Sequence, residues 1–165
     1  RAETVASFNC DTSGDVLGIS MRHGRGGLSG YSGKMIAFKG NDSSEEGSIV
    51  IGTSATAFNT SSDYRLKENE VALSDGITRL KTLKPYRFNF KKNKDTTVDG
   101  FFAHEVTPVV PEAIYGAKDA INSDGSINPQ QIDQSKLIPL LTAALQEAIA
   151  KIEVLETEVA ALKAK

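Results

Sequence analysis

A seven-residue hydrophobic repeat near the C-terminus constrains the fold of this chain more than any other feature. Its a positions recur every seven residues, and each d position follows an a position by three. The a positions are Ile138, Leu145, Ile152 and Val159, and the d positions are Leu141, Ala148, Leu155 and Leu162. Four heptads with apolar a and d positions are typical of a coiled coil. We therefore predict a coiled-coil helix at about residues 136–163.

The length of this heptad stripe favours association between chains. Four heptads cover about 25 residues, or roughly 37 Å of helix at 1.5 Å per residue, and the rest of the chain offers little surface of that length. Isoleucine at a with leucine at d favours two strands in model peptides, whereas Ala144, Ala148 and Ile149 broaden the apolar face for more. One amphipathic helix packed on its own domain is the alternative.

The composition argues against several classes of function. The 165 residues carry a net charge of −2, so no broad positive field gathers nucleic acid and no polybasic segment anchors a membrane. No apolar run approaches the ~20 residues of a membrane span. Cys10 has no second cysteine to pair with, and His23 and His104 are too far apart for a zinc motif. We expect no metal, cofactor, nucleic acid or membrane to bind.

Residues 1–60 predict short strands between frequent glycines. Strand-like pieces lie at 16–21, 34–40 and 47–52 and are bounded by Gly, Asn and Ser. The Gly-rich stretch at 24–30 lacks the Lys-Thr/Ser ending of a phosphate-binding loop. So few apolar residues build no large core alone, and Cys10 is expected to be a partly buried small residue. The segment either pairs with further copies or ends a larger β structure.

Residues 71–135 predict a small α+β domain. Ser74 is a good helix N-cap, and Ile77, Leu80 and Leu83 then share one side of a short helix before Pro85. Alternating aromatic and polar residues at 86–91 predict a strand, which pairs in a hairpin at 86–103 and runs into a helical turn. The stretch 109–116 predicts another short strand region, broken by a proline. The oxygen-rich stretch at 122–128 lacks calcium-loop spacing, so a hairpin turn is expected there.

A serine and a lysine stand where the Gly-rich segment meets the helical one. Ser62 is a candidate nucleophile and Lys67 a candidate base. The serine must lose its proton as it attacks a carbonyl, and neutral lysine accepts that proton. The ordinary pKa of lysine is near 10.4, so the chemistry needs burial, or a nearby cation such as Arg65, to favour the neutral amine. By itself this pair is a weak signal and indicates a solvated loop.

The five-residue spacing adds a geometric condition. Residues five apart point about 140° away from each other in a helix and to opposite faces in a strand. Either the chain turns sharply between Ser62 and Lys67, or the lysine of one copy serves the serine of another. The second arrangement would link the chemistry to assembly.

The stretch at 61–70, "SSDYRLKENE", resembles the start of the intramolecular chaperone domain of phage tail fibres and tailspikes, the peptidase S74 family. Further stretches follow in the family's order: "ITRLKTLKPYRFNF", "DGFFAHEVTPVVPEAI" and the closing helix. The resemblance covers about 63–162. Glu70 departs from it, because the family's usual isoleucine is absent there.

The resemblance implies a fold and an activity. It implies an α+β chain, in which residues 1–62 end an intertwined triple-stranded β fibre and residues 63–165 form the chaperone domain with its coiled-coil helix. It implies a homotrimer in which Ser62 and Lys67 form a catalytic dyad. Cleavage is implied at Ser62, most often at the Ser62–Asp63 bond. Arg65, His104 and Glu105 are candidates for support, although for His104 a purely structural polar role is favoured.

The expected protein is therefore a folding chaperone that releases itself once, acting in cis or between trimer chains. Its partners would be two further copies and, as folding client, the upstream fibre of the same chain, which would hold any receptor-binding region. The fibre would stay in the virion tail, and the chaperone would remain in the host cytoplasm. The rival interpretation is a trimerisation or attachment domain that does not cut. An enzyme acting on an external substrate is the weaker third. Because no methionine begins the chain, we expect it to be part of a longer protein.

Overall fold

The computed structural model describes residues 33–52 and 54–165. They divide into two compact units, one that ends at Glu70 and one that runs from Val71 to Lys165. Our predictions for Cys10, for the strand piece at 16–21 and for the Gly-rich stretch at 24–30 lie outside the described residues. The α+β class is confirmed.

The first unit contains a three-stranded antiparallel sheet. Its strands, in spatial order, are β1 at Gly33–Lys39, β2 at Glu45–Ile51 and β3 at Thr56–Thr60. The first two confirm the strands predicted from their β-branched runs. β3 was not predicted, because its short sequence carries only two apolar residues, and it forms by pairing with β2, as where Phe58 lies opposite Ile49.

This sheet buries very little in a single chain. Ser48 is buried, whereas every side chain of β3 is exposed and Phe58 keeps 78% of its surface accessible. Such exposure agrees with a segment that lacks the apolar residues for a core of its own. The intertwining of three such segments, which we expect from the sequence, stays a prediction.

The second unit combines short elements with one long helix. Its elements are α1 at Gly76–Leu80, β4 at Tyr86–Phe90, β5 at Asn93–Gly100, α2 at Ala103–Val106, β6 at Ile114–Tyr115, β7 at Gln131–Ile132 and α3 at Ile138–Lys163. β4 and β5 form the predicted hairpin, in which Phe88 lies opposite Val98. The chain reverses at residues 91–92.

A small core holds this unit together. Its buried members come from α2, the following loop and the start of α3, and they are Val106, Val109, Val110, Ala113, Leu137 and Leu140. Leu83, Phe101, Ile114 and Ile132 pack against them at its edge. The stretch after Val110 begins with a 3₁₀ turn at Pro111–Ala113, so the predicted strand shortens to the two residues of β6. The core therefore fixes the first turns of α3.

The predicted N-cap of α1 is wrong. Asp75, not Ser74, occupies the cap position, and its side chain makes no capping hydrogen bond. Instead the Glu147 carboxylate on α3 accepts hydrogen bonds from the Gly76 amide at 2.6 Å and the Ile77 amide at 3.1 Å. A negative side chain satisfies free N–H groups at a helix start. The cap of α1 therefore comes from 71 residues away.

Close approach explains the glycine at the start of α1. A Cβ on Gly76 would lie 2.4 Å from the Ala144 backbone nitrogen and 2.7 Å from the Ala143 carbonyl carbon. These are backbone atoms, which do not move aside as the end of a flexible side chain does. Glycine lets α1 dock tightly enough on α3 for Glu147 to reach its amides.

The oxygen-rich stretch at 122–128 forms a turn, as expected. Asn122 donates its amide to Ser126 O at 2.9 Å, and Gly125 donates to Asn122 O at 3.0 Å. Gly125 has φ of +82°, a conformation that favours glycine. Ile121 and Ile127 form an antiparallel bridge on either side of the turn.

α3 is the long helix that the heptads predicted. Pro139 lies in its first turn, where a missing N–H costs least. Leu140, Ala143 and Ala144 are buried against the unit's own elements. From Ile149 onward every residue of the helix is exposed, so the second half contributes nothing to the buried core of this unit. Within 33–52 and 54–165, no helix is long and apolar enough to cross a membrane.

Candidate functional site

A single 3₁₀ turn separates the candidate serine from the candidate lysine. The Ser61 amide donates to Glu46 O at 3.0 Å and so continues the β2–β3 ladder. The 3₁₀ turn then occupies Tyr64–Leu66, and the chain is extended again at Lys67. In a strand or an α-helix the Ser62 and Lys67 side chains would point apart. One tight turn with i to i+3 hydrogen bonds lets them point towards each other. The sharp turn that the spacing required is therefore present.

This turn brings the two side chains into contact within one chain. The Nζ atom of Lys67 lies 2.7 Å from the Oγ atom of Ser62. At this distance a Lys67 ammonium donates to Oγ, and after loss of its proton the amine accepts from the Ser62 hydroxyl. The contact is the geometry that a serine–lysine pair needs before proton transfer. Both residues are exposed in the single chain.

Asp63 and Arg65 close a second contact inside the same turn. Arg65 Nε donates to Asp63 Oδ1 at 2.9 Å, and Nη2 donates to Oδ2 at 2.6 Å. The Arg65 backbone amide donates to Oδ1 as well, at 2.9 Å. The side-chain hydrogen bonds from Arg65 and, to a smaller extent, its backbone amide lower the pKa of Asp63 below the usual 3.8. Slight burial raises this pKa, and the charge of Lys67 lowers it a little further. The Asp63 carboxylate in turn raises the pKa of Arg65.

His104 and Glu105 make their contacts within the second unit. The His104 ring stacks with Phe102 at a centroid distance of 6.0 Å, and Glu105 Oε1 lies 3.3 Å from Lys84 Nζ. Glu105 Oε2 is buried without a partner of normal hydrogen-bond geometry. Tyr86 approaches closely enough that the Glu105 carboxylate raises its pKa. The support we expect His104 and Glu105 to give at Ser62 stays a prediction.

The pKa of Glu105 reflects opposing effects. Burial raises it, but the contacts with Tyr86 and Lys84, and then the charges of Lys84 and His104, outweigh burial and leave it below the usual 4.5. Glu105 is thus stabilised as a carboxylate beside an aromatic cluster on the hairpin. Within the described ranges, no group of three or more His, Cys, Asp or Glu side chains is placed to hold a metal ion.

The heptad stripe of α3 faces away from the core of its own unit. Its large residues keep between 46% (Val159) and 67% (Leu162) of their surface exposed, whereas Ala148 is half-buried. Ile149 and Val154 add exposed apolar surface beside it. The stripe and the surface that packs on the core therefore lie on different sides of one helix.

Two side chains that organise the unit have no signal in the sequence. Arg79 Nη2 donates to Val109 O at 2.6 Å, and Glu147 caps α1. Both bonds join residues at least thirty positions apart, so no local spacing rule finds them.

The chain thus defines a class of protein: a β segment that buries little, joined through a serine–lysine turn to a small α+β unit with a long, half-exposed helix. Residues 62–115 match the model of the peptidase S74 family, described as the chaperone of endosialidase. This match supports the chaperone domain that the resemblance implied. No curated protein matches the chain.

Proposed function

We propose that this chain ends a phage tail fibre or tailspike, guides the fibre's folding as a trimer, and then cuts itself off at Ser62 as a single-turnover serine endopeptidase. The observation that carries the proposal is the 2.7 Å contact between Lys67 Nζ and Ser62 Oγ at the start of the segment that matches the chaperone family. In a regular helix or strand, two side chains five positions apart would not meet.

In the proposed reaction, neutral Lys67 takes the proton of the Ser62 hydroxyl as Oγ attacks a backbone carbonyl carbon. The C–N bond then breaks, the leaving nitrogen takes up the proton from Lys67, and an ester to Oγ remains. Water hydrolyses this ester and frees a carboxylate and the serine hydroxyl. Attack on Ser62's own carbonyl would close a strained four-membered ring, so cutting at Ser62–Asp63 favours attack on a neighbouring chain. Attack on the Ser61 carbonyl closes five members and cuts at Ser61–Ser62.

Assembly is the proposed trigger for the cut. In a single chain the Ser62–Lys67 pair is open to water. Burial away from water favours the neutral amine, and two further copies packed at the end of the sheet would provide that burial. Cleavage would then follow correct folding of the fibre.

The helix would supply the chaperone activity. A fibre of intertwined strands has many non-local contacts and folds slowly. Three α3 helices joined along the heptad stripe would hold the chains together and raise the local concentration of the strands. After the cut, the fibre of residues 1–62 would stay in the virion tail, and the chaperone of residues 63–165 would remain in the host cytoplasm. Loss of the guide would leave the fibre kinetically trapped.

The intact mass of the purified chain under denaturing conditions tests self-cleavage. We expect wild type to give two fragments, and Ser62→Ala and Lys67→Met to stay whole. The fragment masses distinguish the Ser61–Ser62 bond from the Ser62–Asp63 bond, because the products differ by one serine. A wild-type chain that stays whole while it forms trimers would support the alternative, a trimerisation or attachment domain that remains on the fibre.

Mixed trimers test whether the dyad forms within one chain. Ser62→Ala chains co-expressed with Lys67→Met chains contain every functional group, but only on different chains. The within-chain contact leads us to expect that these mixed trimers stay whole. Cleavage of either chain in the mixture would mean that Lys67 serves the serine of a neighbour.

A further inference from the structure

We propose that Asp63 and Arg65 are positioning residues, and that their ion pair, here called the clamp, holds the turn that places Lys67 on Ser62. This inference rests on the self-cleavage proposed above and extends it to two residues beyond the dyad. The clamp acts through the backbone, because neither of its side chains makes a hydrogen bond to Ser62 or Lys67 among those the structure describes.

The first step is that the clamp spans the turn itself. Asp63 is the N-cap of the 3₁₀ turn, and its Oδ1 accepts both the backbone amide and the Nε of Arg65. The second carboxylate oxygen accepts from Nη2. A planar guanidinium that meets a carboxylate with two parallel bonds fixes the orientation of both groups. The Asp63 carboxylate therefore binds both the backbone and the side chain of Arg65, two residues further along the chain.

Two backbone hydrogen bonds connect the turn to Lys67. The Leu66 amide donates to Asp63 O and the Lys67 amide donates to Tyr64 O, both at 3.1 Å. These two bonds set the direction in which the chain leaves the turn, and thus the place from which the Lys67 side chain reaches back to Ser62. A short 3₁₀ turn with two backbone bonds is weak by itself. The clamp adds three bonds within the same five residues.

The position of the Arg65 guanidinium argues against a simple electrostatic role for this residue. From the sequence, Arg65 is a candidate cation that would help Lys67 lose its proton. The guanidinium instead lies against the Asp63 carboxylate, and an opposite charge so close cancels most of its field at other groups. Asp63 also senses the charge of Lys67, so the pair as a whole does not act as a free cation. Position, rather than charge, is what the clamp contributes.

Arg65 variants of the full chain separate position from charge, without changing a residue at the scissile bond. The first-order rate of self-cleavage is followed against pH on denaturing gels, starting from unfolded, uncut chain diluted into refolding buffer. For Arg65→Gln we expect the plateau rate to fall by about ten- to a hundredfold, the scale of a misplaced catalytic group, with the pH midpoint unchanged. We expect Arg65→Lys to restore little of the plateau rate, because lysine keeps the charge but cannot make the two parallel bonds of a guanidinium.

A matched control is available in the hairpin. Arg87 makes a similar two-bond pair with Asp99, at 2.8 and 3.1 Å, and the two arginine side chains are about equally exposed. Arg87→Gln removes such a pair from a different unit, and we expect its cleavage rate to match wild type. A midpoint that moves to higher pH in Arg65→Gln with an unchanged plateau, or full activity in Arg65→Lys, would overturn the clamp in favour of a charge effect.

A second measurement judges the clamp without any cleavage. In the uncut Ser62→Ala chain, amide hydrogen exchange at Leu66 and Lys67 reports the turn directly. We expect Arg65→Gln to speed exchange at these two amides severalfold, whereas Arg87→Gln leaves it unchanged. Unchanged exchange in Arg65→Gln would show that the clamp does not hold the turn. A wild-type chain that never cuts would sink the proposed function, and the exchange result would still decide on the clamp.

Discussion

At the scale of single residues, the turn at 62–67 combines charges that depend on one another. Asp63 caps the turn, pairs with Arg65 and lies near the charge of Lys67. A carboxylate with this many donors is stabilised in its charged form. The state of Asp63 therefore reports whether the turn is closed.

We predict that Asp63 titrates below its usual value and that Arg65 is the main reason. Its pKa is lower in the folded than in the unfolded chain, so the clamp is at full strength above the unfolded value near 3.8. The clamp is then lost as pH falls through the depressed folded value. The carboxyl ¹³C shift of Asp63 in uncut Ser62→Ala chain measures this pKa, and Arg65→Gln should raise it towards 3.8.

The hairpin again provides the control for this titration. Arg87 holds the pKa of Asp99 below its usual value in the same way, so Arg87→Gln should raise the pKa of Asp99 and leave that of Asp63 in place. Equal Asp63 midpoints with and without Arg65 would contradict the assignment.

At the scale of elements, α1 depends on α3 for its existence. A helix of five residues gains too little from its own hydrogen bonds to form alone. It gains instead from packing against the backbone of Ala143 and Ala144, and from the Glu147 cap. α1 and α3 therefore form as a pair, and this pair positions the segment between α1 and β4.

We predict that Glu147→Ala destabilises the second unit by about 1 to 2 kcal/mol, the usual cost of a lost N-cap. The change leaves the Gly76 and Ile77 amides without their carboxylate. Urea unfolding of the Ser62→Ala chain, at one fixed protein concentration because association adds stability, measures the loss. Glu153→Ala on the exposed half of α3 serves as control and should change the free energy of unfolding little. Equal stability of the two variants would refute the cap.

At the scale of the whole molecule, a single chain leaves apolar surface open in both of its units. The sheet exposes Phe38 and Phe58, and α3 exposes its heptad stripe. The stripe on α3 is a continuous row of exposed apolar residues, and exposed apolar surface of this kind marks an interaction site. Two such surfaces in one chain are what a trimeric fibre and its trimeric guide would each need to cover.

We predict that charge on the stripe abolishes association and leaves the second unit folded. Ile152→Asp places a carboxylate at an a position beyond the part of α3 that packs on the core. In sedimentation velocity, the Ser62→Ala,Ile152→Asp chain should run as a monomer and lose part of its helical signal, because an isolated helix of this length is marginal. Thr157→Asp, at an exposed f position, should remain associated. Trimers of the Ile152→Asp chain would mean that the stripe is not the interface.

The sequence by itself determined the elements whose signals are local. The period of seven gave α3, alternation gave β4, and β-branched runs between turn residues gave β1 and β2, because each pattern depends on residues a few positions apart. It also marked Ser62, Asp63, Arg65 and Lys67, through the resemblance of one short stretch.

Only the tertiary structure decided how those residues are used. Spacing left two arrangements for Ser62 and Lys67, and the 3₁₀ turn brings their side chains into contact within one chain. The sequence offered Arg65 as a free cation, whereas its guanidinium is bound by Asp63. Ser74 was the natural cap for α1, yet Glu147 provides it from α3. Contacts of this kind depend on how the backbone folds back on itself, and a pattern of neighbouring residues carries no record of that.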